Sequence, residues 1–153
     1  MNITHTICIA AIACLMFDEA ISAPEHQVSA ARTCFVKIGD TPKRPCGWTY
    51  FIREPNNREM IVGAKTADGD FSFSGLMINQ GTFKVAEIYA GSPLKASGLC
   101  KLTKTAKGRV STIDCKAKSK LGMASMKSTA DRPDDWDLII RRIVPGNSSV
   151  KKQ

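Results

Sequence analysis

The chain has 153 residues, 43% of them hydrophobic, 24% charged and 7% aromatic, with 22 Lys+Arg against 14 Asp+Glu. This balance excludes whole-chain disorder and a fibrous repeat, and the length suits one domain with a modest core rather than two large ones. The net charge of +8 turns attention to anionic partners, and no dense catalytic signature accompanies it.

Residues Ile7 to Phe17 read ICIAAIACLMF, a run without charge. A membrane-crossing helix needs about 20 apolar residues, so no membrane span is expected. The run fits the apolar centre of a secretory signal, with small-residue cleavage options near Ser22, Ala23 and Ala30. A signal peptide over 1–23 and a secreted, periplasmic or extracellular destination follow as expectations. Cleavage there removes Cys8 and Cys14 and leaves Cys34, Cys46, Cys100 and Cys115. In a small exported chain these read as two disulfides, for which three connectivities exist. Cys34–Cys46 and Cys100–Cys115 are favoured because each pair brackets a short turn-rich segment, Thr41 to Pro45 and Ala106 to Gly108. There is no Cys-x-x-Cys pair, and His26 is the only histidine beyond the signal, so neither a metal nor another cofactor is expected.

Residues 24–57 read as an N-terminal extension: a polar start through Ala30, a short strand at Cys34 to Ile38, a Pro-rich turn, and Trp48 to Arg53 before the Pro55-Asn56-Asn57 break. From Arg58 a succession of short strands begins with Met60 to Val62. Asp68-Gly69-Asp70 is a turn, after which Phe71 and Phe73 alternate with Ser72 and Ser74, the period of a half-buried strand. Phe83 and Val85 repeat that alternation. Ser92-Pro93 opens a short helical turn that Gly98 would end. Beyond the 100–115 hairpin, Ile113, Cys115 and Ala117 share one strand face. Leu121, Met123 and Met126 have loose helical spacing, which predicts a helix over 119–127. Asp131 to Asp135 is a turn, and although Asp131, Asp134, Asp135 and Asp137 are rich in oxygen, their spacing does not match a calcium-binding EF-hand loop. Trp136 to Val144 reads as a last strand, followed by a basic tail over 146–153.

Charge is unevenly distributed. Residues 24–94 carry eight bases and seven acids, whereas residues 95–153 carry fourteen bases and five acids. Lys101, Lys104, Lys107, Arg109, Lys116, Lys118 and Lys120 crowd the hairpin region and could together hold an acidic polysaccharide or anionic lipid. Aromatic residues that stack on bases are nearly absent from this half, so nucleic acid is not an expected partner. No nucleophile–base pair and no glycine-rich phosphate loop stands out, and the chain reads as non-enzymatic.

The run R-E-M-I-V-G-A-K-T-A-D-G-D-F-S-F-S-G, then G-T-F-K-V-A-E-I-Y-A-G-S-P-L-K-A-S-G-L, R-V-S-T-I-D and W-D-L-I-I-R-R resembles a PDZ domain over about residues 58–143. The resemblance implies an α+β, mainly β fold for 58–145: a partly open, disulfide-stapled barrel of five to six strands with two short helices. It also implies capture of a partner protein's C-terminal tail by strand addition along Phe71 to Gly75. On that pattern Gly69, Asp70 and Phe71 supply amides to the tail carboxylate, Phe71 and Phe73 shape the pocket, and Lys65 adds positive potential. Ser119 and Met123 face the ligand from the second helix.

Overall fold

The computed structural model describes residues 25–53 and 58–134. The signal segment, the 55–57 break, the strand expected from Trp136 and the basic tail lie outside the described residues. Eight strands follow one another: β1 (Glu25–Ile38), β2 (Arg44–Arg53), β3 (Glu59–Thr66), β4 (Gly69–Asn79), β5 (Thr82–Ala90), β6 (Pro93–Lys104), β7 (Val110–Ser119) and β8 (Gly122–Ala130). Each pairs antiparallel with its sequence neighbour, and β1 also pairs with β8, so the sheet closes into a barrel.

This overturns the α+β expectation. The described residues contain no helix, and the barrel is closed with eight strands instead of partly open with five or six. The stretch from Pro93 to Gly98 is the start of β6, because Leu94, Cys100 and Leu102 point inward while Lys95, Leu99 and Lys101 point out. Residues 119–127 form the β7–β8 turn and most of β8, with Ala124, Met126 and Ser128 buried at alternating positions. The stretch read as an extension supplies β1 and β2, which hydrogen-bond to β8 and β3.

An eight-stranded barrel has an interior just wide enough for side chains to fill. Here Phe51, Phe73, Phe83, Ile88 and Met126 fill it and are almost wholly inaccessible to solvent. Burial of each such side chain is worth about 1.5–3 kcal/mol. Phe71 and Phe73 alternate inward as expected, with ring centroids 5.2 Å apart in an edge-to-face contact. Curvature comes from bulges, such as the one between Ser74 and Gly75 opposite β5. At Gly75 the β5 backbone approaches so closely that any Cβ would collide with the Lys84 carbonyl.

Both disulfides join neighbouring strands from inside the wall: Cys34 to Cys46 across β1–β2 and Cys100 to Cys115 across β6–β7. Cys100 and Cys115 stand directly opposite in the ladder. Disulfides persist in oxidising surroundings, in keeping with an extracellular or periplasmic location. No helix of the described residues is long and apolar enough to cross a membrane.

Candidate functional site: a basic outer wall

Closure of the barrel sorts the side chains of every strand into a packed lumen and an outer wall, and among the described residues three places could take a partner. The first is the front end, which carries the β1–β2, β3–β4, β5–β6 and β7–β8 turns. There a mouth of about 290 Å³ is floored by Val36 and Phe71 and rimmed by Lys37, Asp70 and the Arg44–Asp68 ion pair at 3.0 Å. The second is a shallow groove of about 600 Å³ across the outside of β1–β3, bordered by His26, Trp48, Ile52 and Lys65. Along it the Tyr50 ring covers Gly63, where a Cβ would strike the ring. Burial pushes the Tyr50 hydroxyl above its ordinary pKa of 10.0, Asp70 and Tyr89 add to the rise, and a hydrogen bond with Ser72 opposes it.

The third place is the outer wall of β5–β8. Residues 82–130 hold ten Lys/Arg and two Asp/Glu. The two acids have basic neighbours: Glu87 stands opposite Lys95, and Asp114 stands opposite Lys101 and lies 3.8 Å from Lys127. Lys84, Lys116 and Lys118 have no acid opposite them on either adjoining strand. Lys84 lies between Leu76 and Leu99, Lys116 between Leu99 and Ser125, and Lys118 between Ser97 and Met123. Lys84 and Lys116 flank Leu99 two strand spacings apart, about 10 Å, comparable to the screening length at physiological salt. Their fields therefore add over this wall.

The basic residues expected to act together are only partly gathered. Lys101, Lys116 and Lys118 project from β6 and β7 on the same wall. Lys104 instead turns over the back end, 3.6 Å from Glu25 and 5.5 Å above the Phe51 ring. Lys107 and Arg109 belong to the β6–β7 turn at the back, whereas Lys120 lies in the β7–β8 turn at the front. Lys84, Lys95 and Lys127 join the wall although they fall outside the 101–120 run. Reading 93–99 as a strand would have placed Lys95 on the face of Leu99 and Lys101; the positions of Lys84 and Lys127 depend on long-range register that local sequence does not carry.

The residues expected to bind a peptide tail are distributed differently. Gly69, Asp70 and Phe71 edge the front mouth. Phe73 lies in the core, and Lys65 stands opposite Asp70. Ser119 binds its own turn, donating to the Gly122 carbonyl and accepting from the Leu121 amide. Met123 is exposed on the outside of β8. Both edges of β4 are occupied, by β3 and by β5. A tail adding to Phe71–Gly75 would have to displace one of them, and among the described residues no helix forms the second side of a groove.

Among the described residues no group of three or more His, Cys, Asp or Glu side chains is arranged to hold a metal ion. No protein-family model, curated protein or solved structure matches the chain. The class defined by architecture alone is the up-and-down antiparallel β-barrel of eight strands, a fold compatible with many functions.

Proposed function

We propose that this is an exported, non-enzymatic binding protein that attaches to polyanions through the outer wall of β5–β8. The observation that carries the reading is that six lysines, Lys84, Lys95, Lys101, Lys116, Lys118 and Lys127, project from these four consecutive strands against two acids, Glu87 and Asp114. The signal-like run at Ile7–Phe17 and the two disulfides support export. Like charges this close repel in the free protein, and a polyanion converts that repulsion into attraction.

The test is binding of the oxidised protein to dextran sulfate and to anionic vesicles over a range of salt. Binding should weaken steeply as salt rises. Reversing Lys84, Lys116 and Lys118 to Glu should abolish it, whereas Lys43→Glu with Lys65→Glu, on the other side of the barrel, should leave it nearly intact. Equal loss from both sets, or no binding to either polyanion at low salt, refutes the reading.

A further inference from the structure

The basic wall carries exposed Leu99 and continues onto β4 with an apolar margin. Leu76, Ile78 and Leu99 are 57%, 53% and 46% exposed, high values for large aliphatic side chains. The ladder places Leu76, Lys84, Leu99 and Lys116 in one continuous row across β4, β5, β6 and β7, alternating apolar and basic. Ile78 and Lys101 lie just beside that row toward the back end, next to the β4–β5 turn. Leu99, Lys101, Asp114 and Lys116 also border a shallow depression of about 380 Å³, with Gly98 at its edge. Two acids adjoin the footprint: Glu59 opposite Leu76, and Asp114, which the Lys127 ammonium approaches.

From this pattern we infer that the polyanion is the surface of an anionic lipid bilayer, met by Leu76, Ile78 and Leu99 together with Lys84, Lys101 and Lys116. The inference rests on the basic-wall reading and adds the nature of the partner. Aliphatic side chains gain nothing from a sulfated polymer in water, but they gain by entering the boundary between headgroups and acyl chains. Lysines around them place ammonium groups at lipid phosphates while their stems lie along the apolar layer. A protein partner would call for a contiguous core depleted in lysine, which is not what alternates here. Curvature limits the footprint: β4 to β7 spans less than half the barrel, so these six side chains can meet one plane while Met123 and Phe35 lie round the side.

The test is flotation of the oxidised protein with phosphatidylcholine vesicles, with and without a third of phosphatidylglycerol, alongside binding to dextran sulfate. Protein should float only with the anionic vesicles. Neutralising Lys84 and Lys116 to Gln should lower partitioning about fivefold per residue. Leu76→Ser with Leu99→Ser should lower it about tenfold while leaving dextran sulfate binding unchanged. Both leucines are exposed, and an unchanged melting temperature checks the fold. Leu121→Ser, at the front end, should bind vesicles like the parent. If the leucine pair leaves vesicle binding unaltered, or anionic vesicles bind no better than neutral ones while dextran sulfate binds, the lipid assignment is overturned and the basic wall stands. If neither vesicles nor dextran sulfate bind, both fall.

Discussion

The side-chain amide of Gln27 substitutes for a strand at the seam of the barrel. Its Nε2 donates to the Val110 carbonyl at 2.8 Å, and its Oε1 accepts from the Val110 amide at 2.7 Å. β8 pairs with β1 only from Ala31 to Ile38, so the start of β1 has no β8 partner, and β7 begins there with Val110. One carboxamide supplies both the donor and the acceptor that the missing ladder would have provided. Beside it, Ser29, Thr49 and Ser128 line a small cavity of about 10 Å³, close to the least that holds one water and too small for a ligand.

Replacing Gln27 with Ala therefore strands two buried backbone groups. Each orphaned group costs about 1–3 kcal/mol, so the variant should lose about 2–6 kcal/mol. Urea denaturation measures this directly. Gln27→Glu sets a buried carboxylate oxygen against the Val110 carbonyl, and at neutral pH should be at least as unstable as the Ala variant.

The polar start of β1 shows how far local sequence reaches. Gln27 and Ser29 make this stretch look like a solvated leader, because nothing nearby reveals that Gln27 is satisfied by Val110, 83 residues away, while Ser29 accepts from the Gln27 amide. The same cause hid β8: small and polar inward residues, Ala124 and Ser128, masked a two-residue period that Leu121, Met123 and Met126 made look helical. Where the inward residues are large, as at Phe71 and Phe73 or at Ile113 and Cys115, the alternation was legible. The cysteine pairing was legible too, because each pair brackets a turn within one hairpin. The lysine excess could be counted from the sequence, but its gathering with Lys84, Leu76 and Leu99 is set by the ladder.

Each disulfide closes a short loop, with sequence separations of 12 and 15. Loops of this size reduce the entropy of the unfolded chain by an amount worth about 3 kcal/mol. Cys100→Ala with Cys115→Ala should lower the denaturation midpoint accordingly while β6 and β7 stay paired, which far-ultraviolet circular dichroism will report as unchanged strand content.

Phe73 and Phe35 separate core from surface. Phe73 is fully buried, and truncation to Ala should cost about 3–5 kcal/mol. Phe35 is 49% exposed on the outside of β1, and its truncation should cost under about 1 kcal/mol. Parallel thermal melts of the two variants check the inward and outward assignment of these strands.

Tyr50 gives the fold an alkaline dependence with a defined sign. Its hydroxyl pKa is raised above 10.0 in the folded protein, chiefly by burial. Between the unfolded value and the higher folded one, the unfolded chain has released the proton and the native state retains it, so stability falls as pH rises through that window. Tyr50→Phe should remove this part of the slope. Urea midpoints of parent and variant, compared below and above pH 10, give the difference.

The most direct measurement of the central claim is amide chemical-shift mapping of the isotopically labelled, oxidised protein. It would be titrated at low salt with a sulfated oligosaccharide and, in parallel, with phosphatidylglycerol-containing nanodiscs. The account predicts perturbations centred on Lys84, Leu99 to Lys101 and Asp114 to Lys118, extending to Leu76 and Ile78 only with lipid. Perturbations centred on the front mouth at Val36 and Phe71, or on the Trp48–Tyr50 groove of β1–β3, would contradict it and move the binding site to the end or to the other side of the barrel.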